Sequence, residues 1–241
     1  MRVLGENGMK TLKVLGFLLT YPSLQHQDVA EECRHIMLQE NILSDSAKEG
    51  VYKLLFWFEN TPIEDIQESY VDLFDRTPSL SLHLFEHVHG DSRSRGQALV
   101  DLNDVYVRSG LMISTEEMPD YLPLFLEYLS TRSSKDASQD ITDAIDVIGA
   151  IGERLKQRKS LYAGVFDALI AIAGRKPDLS VIAKAITKSD GQELSAEQID
   201  KEWVEQFAFE NTPQTTGGNN CPAAMDMVRR MNAPIIQTKK T

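Results

Sequence analysis

Cysteine is scarce: the 241-residue chain has two, Cys33 and Cys221, with no Cys-x-x-Cys spacing. That excludes a zinc, iron-sulfur or secreted disulfide framework and points to a reducing, cytoplasmic compartment. Positive charge is also short, with 25 Lys and Arg against 36 Asp and Glu, a formal charge of −11 and a pI near 4.9. A nucleic-acid partner is not expected, because that contact requires basic side chains to neutralise phosphates. No apolar run approaches the roughly twenty residues of a membrane span. Val14 to Leu19, behind Lys10 and Lys13, superficially resembles a signal peptide, but it is too short and Pro22 follows soon after. Leu161 to Ala173 is interrupted by Asp167 and reads as a buried core helix. Phosphate-cradling glycine loops do not occur, and no Asn-Gly or Asp-Gly hairpin sits between alternating runs, Asp190-Gly191 lying between helical patterns.

What the chain has in abundance is helical period. Ile63, Ile66, Tyr70, Leu73 and Phe74 share one face, as do Leu122, Phe125, Leu126 and Leu129, and Ile141, Ile145, Ile148, Gly152 and Leu155. Capping boxes are expected at Thr61 to Glu64, with Pro62 in the first helical position, and at Ser46 to Glu49 and Ser195 to Gln198. The pattern predicts an all-α fold, a single compact bundle of about nine or ten helices at 10–20, 27–41, 45–59, 62–76, 91–109, 120–131, 139–158, 160–174, 178–188 and 195–209. Residues 111–119 and 131–138 read as loops. The domain is expected to end near 210, leaving 211–241 as a probable disordered tail with Arg229, Arg230, Lys239 and Lys240 against Asp226.

Three constellations can carry chemistry. His83-Leu84-Phe85-Glu86-His87 matches His-x-x-Glu-His; on a helix the two imidazoles would share a face and hold Zn²⁺ while Glu86 acts as base, which makes a metal-dependent hydrolase the alternative function. Hydrogen-bonded histidines on a short turn are the plainer reading. With His89 nearby, the cluster can also make binding affinity vary between about pH 5.5 and 7.5. Arg93 and Arg95 open the following helix, where basic side chains oppose the dipole and call for carboxylate partners or a ligand. Glu64, Glu68, Asp72 and Asp75 form an acidic ridge opposite the apolar face of their helix, suited to a basic peptide or simply to solvent.

Three stretches, Tyr70-Val71-Asp72-Leu73-Phe74, Leu82 to Ala98 with its Leu-Phe-Glu-His-Val-His-Gly-Asp-Ser-Arg run, and Glu117 to Glu127, closely resemble the NarJ-type assembly chaperones of respiratory nitrate reductase, also called delta subunits, within the TorD and DmsD superfamily. The resemblance covers about residues 9–175, with Met9 as an alternative start. It implies a TorD-like helical fold and a cytoplasmic chaperone without resident cofactor and without enzymatic activity. Such a chaperone binds the N-terminal leader of the apo catalytic subunit and keeps it competent for molybdenum cofactor and iron-sulfur insertion before membrane docking. The cofactor delivery machinery is a further possible partner, and no membrane insertion is implied. Candidate peptide contacts are Tyr70 and Phe74 as an apolar wall, Asp72, Glu117 and Asp120 as carboxylates, Tyr121 as an aromatic contact, and Glu86, His87 and Arg93 from the central run. Core packing is the competing reading for Tyr70, Leu73 and Phe74. The chain has Tyr121 where TorD-type proteins have His, so a nucleotide role assigned through that histidine does not carry over.

Overall fold

The computed structural model describes residues 9–88, 92–113 and 117–178, and the regular elements among them are all helical. They are α1 Lys10–Leu18, α2 Leu24–Asp28, α3 Ala30–Glu40, α4 Asp45–Asn60, α5 Ile63–Tyr70, α6 Ser92–Arg108, α7 Leu122–Ser130, α8 Ser134–Asp143, α9 Ile145–Gln157 and α10 Ala163–Ala173. The helices expected at 178–188 and 195–209, the Ser195 box and the 211–241 tail lie outside the described residues, Asp178 apart.

Two close helix pairs build the core. At α1 against α7, a Cβ on Gly16 would stand 3.0 Å from the Pro123 carbonyl oxygen. At α4 against α10, the bare Cα atoms of Gly50 and Gly164 let two backbones touch, a Cβ on Gly164 falling 2.4 Å from the Gly50 carbonyl carbon. Helix α9 packs on α10 the same way, with Gly152 seated on Phe166. Edge-to-face ring contacts join Tyr162 to Phe58, Tyr70 and Phe74 at 6.1, 6.1 and 5.1 Å, tying α4, α5 and the start of α10 together.

Several helix boundaries depart from expectation, each for a local reason. Helix α4 starts at Asp45 as expected, but its cap is Ser44, two residues before the expected Ser46, accepting from the Ala47 N–H. Thr61 closes α4 in extended backbone and Pro62 takes the cap position of α5, so the Thr61 box does not form. The continuous helix expected at 27–41 breaks at Val29, and that at 139–158 breaks at Ala144, although Ile141 and Ile145 stay fully buried across the break. Most of the 131–138 loop is instead the first turn of α8, capped by the Ser133 hydroxyl on the Asp136 N–H.

The 62–76 helix also changes character. After Tyr70 the backbone widens into a π turn, Val71–Asp75, closed by the Arg76 N–H on the Val71 carbonyl at 2.9 Å. The wider turn keeps Phe74 in the core one turn after Tyr70 and leaves Asp72, Asp75 and Leu73 at the surface or half-buried. Helix α1 takes its N-terminal cap from elsewhere in the chain: the Glu40 carboxylate at the end of α3 accepts from the Lys10 and Thr11 N–H groups at 2.5 and 2.7 Å. Burial pushes the Cys33 thiol up to about 11, which leaves it unreactive.

Candidate functional site

Two segments far apart in sequence, both outside the α-helices but for Leu122, are laced together. Residues 81–87 and 117–122 run antiparallel for a single step at His83 and Tyr121, with the Leu84 N–H on the Asp120 carbonyl at 3.0 Å and the Leu122 N–H on the Leu82 carbonyl at 2.8 Å. The Tyr106 hydroxyl of α6 donates to the Pro119 carbonyl at 2.8 Å and fixes the second segment from behind.

Asp120 is the hub. Its side chain is fully buried, yet one oxygen accepts from the Phe85 N–H at 3.0 Å and the other lies 3.3 Å from His83 Nδ1. Arg95 stands 4.0 Å from the same carboxylate and donates to Glu86 Oε1 at 3.0 Å. A buried carboxylate needs such partners, because an unpaired charge here would cost several kcal/mol. Arg95 is thus the helix-opening arginine that finds its carboxylates, while the Arg93 side chain lies outside the described residues.

This geometry corrects the metal-site reading. Leu84–His87 is a short 3₁₀ turn and His83 is extended, so His83 and His87 do not share a helix face. Each imidazole is already engaged, His83 with Asp120 and His87 through Nε2–H on the Ser81 carbonyl at 2.8 Å. Among the described residues no group of three or more His, Cys, Asp or Glu side chains is arranged to hold a metal.

The two histidines are shifted in opposite directions. The Asp120 hydrogen bond raises the pKa of His83 above the ordinary 6.5, whereas burial lowers that of His87. The stability His83 contributes is therefore present below pH 6.5 and lost as pH rises through its folded value. The contribution of His87 is present above 6.5 and lost as pH falls through its own. A ¹H–¹³C titration of the ring protons is expected to show His83 titrating above 6.5 and His87 below it. The reverse order would contradict the assigned hydrogen bonds.

Above this network the surface is aromatic and acidic. The Tyr121 ring is tilted over the His83 ring at a centroid distance of 5.4 Å, and its hydroxyl lies 3.3 Å from that of Tyr70. Burial raises the pKa of the Tyr121 phenol, and the nearby carboxylates of Glu117 and Asp75 add to the rise. Tyr21, about half exposed, stands edge-on to Tyr70 at 5.7 Å.

The candidate contacts therefore separate by depth. Tyr121, Glu117, Glu86 and Asp72 reach the surface, Asp72 in an exposed pair with Arg76 at 2.7 Å. Tyr70 and Phe74 are buried in the aromatic cluster, with the Tyr70 hydroxyl donating to the Leu19 carbonyl at 2.8 Å. The apolar-wall expectation meets core packing there, and these rings support the surface from beneath. Asp120 is likewise interior and His87 half-buried, and both hold the platform together. Tyr21 and Asp75 belong to the face but not to the expected contact set; Tyr21 carries no local signal beyond standing before Pro22, whereas Asp75 is the last residue of the acidic ridge.

Comparison with known proteins places this region inside a recognised span. A family model described as nitrate reductase delta subunit matches residues 40–168. In Escherichia coli (strain K12), the probable nitrate reductase molybdenum cofactor assembly chaperone NarW is 34% identical over 198 residues, covering 82% of each chain. The NarJ chaperone of the same description and strain is 36% identical over 204 residues, 82% of this chain and 84% of its own. The probable NarJ of Bacillus subtilis (strain 168) is 27% identical over 164 residues, 67% of this chain and 86% of its own.

Proposed function

Because the chain belongs to the nitrate reductase delta subunit family, we propose that it is an assembly chaperone for the catalytic subunit of a respiratory nitrate reductase. It is not an enzyme. In this reading it holds the apo subunit in the cytoplasm, through the subunit's N-terminal leader, while molybdenum cofactor and iron-sulfur clusters are inserted and before the client docks at the membrane. The cofactor is cargo on its way to the client. The cofactor delivery machinery is a second partner in the same reading.

One observation carries the leader-binding part. The exposed face around Tyr121 combines the rings of Tyr21, Tyr121 and His83 with the nearby carboxylates of Asp75 and Glu117, all but Tyr21 within the span that the family model matches. A basic amphipathic leader fits such a face: its apolar side covers the rings and its basic side meets the carboxylates, which also speed encounter. Asp120, Arg95 and Glu86 hold the platform rigid, and a preorganised surface wastes less binding energy on ordering.

The test is made in cells that lack their own chaperones of this family and produce the client. Molybdenum per mole of purified catalytic subunit is expected to rise severalfold when this chain is co-produced. Equal molybdenum content with and without the chain would overturn the proposal.

A further inference from the structure

A second surface, separate from the Tyr121 face, is built for an apolar occupant. Helix α4 presents Phe56, 63% exposed, beside Trp57 and Tyr52. With Leu161 from the α9–α10 connection, 39% exposed, they line a groove of about 570 Å³. A second recess of about 300 Å³ continues it past Trp57 and Leu161 to Leu73, Arg158 and Lys159. Exposed aromatic and aliphatic side chains gathered in a concave strip mark a binding surface. The rim is basic at one end, where Arg158 and Lys159 are both exposed, and Lys53 stands along the side paired with Glu49 at 2.7 Å. The Tyr52 hydroxyl is shielded from solvent and makes no hydrogen bond among the described residues.

This chemistry does not suit a basic leader. It suits an acidic amphipathic segment, and the sequence of residues 195–209 has that pattern. Over 195–209 the sequence places Ala196, Ile199, Trp203 and Phe207 on one stripe at helical spacing, with Glu197, Asp200, Glu202 and Glu205 against Lys201 alone. The connection is long enough. The Asp178 N–H bonds to Asp146 at the start of α9, and the groove lies at the other end of that helix, about 20 Å away at 1.5 Å per residue. Residues 179–194 span about 35 Å with a helix up to 188 and about 50 Å fully extended.

We propose that residues 195–209 of this chain dock in the α4 groove, laying Ile199, Trp203 and Phe207 on Phe56, Trp57 and Leu161 and turning acidic side chains to Lys53, Arg158 and Lys159. The tether gives an effective concentration on the order of millimolar, so a modest contact suffices. The docked segment shields Phe56, the most exposed aromatic of the described residues. A partner that uses the groove must first displace it.

The chain has two tryptophans, Trp57 and Trp203, so Trp203→Phe leaves Trp57 as the sole reporter in the full-length protein. Adding Ile199→Asp and Phe207→Asp is expected to raise acrylamide quenching of Trp57 about twofold and to shift its emission red as the ring loses its apolar cover. A second measurement pairs Phe56→Cys with Phe207→Cys in a Cys221→Ala background, the buried Cys33 remaining unreactive. Mild oxidation is expected to give a monomeric cross-link at any dilution. Unchanged Trp57 quenching together with no cross-link overturns the proposal. A cross-link that forms only between molecules also overturns it, by assigning the groove to a second copy. Trp57 changes produced by a client leader but not by the Asp substitutions overturn it in favour of the client.

Discussion

Replacing Asp120 by Ala is expected to lower the unfolding free energy at pH 7 by about 3 kcal/mol. The substitution removes the acceptor used by the Phe85 N–H and strands His83 and Arg95 beside a vacated buried site. Both partners are partly exposed, so the loss falls at the low end of what breaking a fully buried pair costs. Asp120→Asn keeps an oxygen for Phe85 and is expected to cost about half as much, since only the charge is lost. It carries a second signature: the pKa of His83 falls, because the hydrogen bond that raises it weakens. Asp72→Ala, which breaks only an exposed pair with Arg76, is expected to stay within about 0.5 kcal/mol of the parent. Urea denaturation of the three variants measures the ranking. An Asp120→Ala protein as stable as the Asp72→Ala protein would remove Asp120 from its place at the hub.

Gly164→Ala is expected to destabilise the chain by about 3 kcal/mol or more, the upper end for overpacking. The added carbon would lie 2.4 Å from the Gly50 carbonyl carbon and 2.6 Å from its oxygen, so backbone must move against backbone where α4 crosses α10. No side-chain rotation relieves that. Gly96→Ala supplies the contrast: its Cβ meets nothing within 4 Å on an exposed turn of α6, so the better helix former is expected to gain about 0.5–1 kcal/mol. Thermal melts of both variants check the pair of signs, and a Gly164→Ala protein melting with the parent would mean that the two helices do not cross in backbone contact.

Much of the architecture is written locally in the chain. Ile66, Tyr70 and Phe74, or Phe125 and Leu129, repeat at helical spacing and are buried as that spacing demands. What periodicity does not carry is where a helix pauses without losing its stripe. Ala144 interrupts α8 and α9 while Ile141 and Ile145 stay in the core, so the pattern reads straight through the break. The π turn after Tyr70 escapes for the same reason, since Phe74 stays buried across it. Caps were misplaced where two candidates stood close together, as with Ser44 and Ser46.

The candidate site was legible as a set of residues but not as a geometry. Asp120 looks like one more surface carboxylate until residues 81–87 are folded onto it, and nothing in the sequence pairs it with His83 or Arg95. The His-x-x-Glu-His spacing failed because it means two ligands on one face only if the segment is an α-helix, and Pro78 and the Asp120 hydrogen bonds hold it otherwise. The tertiary cap of Glu40 on α1 is equally invisible to local reading.

Calorimetric titration with the N-terminal peptide of a nitrate reductase catalytic subunit, at low and high salt and against a scrambled peptide, tests the central claim most directly. Binding that depends on the order of residues, weakens with salt, and weakens again on Glu117→Gln with Asp75→Asn is the predicted result, because exposed carboxylates act through a screened field. Equal binding of leader and scrambled peptide, or leader binding that the two substitutions leave unchanged, would contradict it.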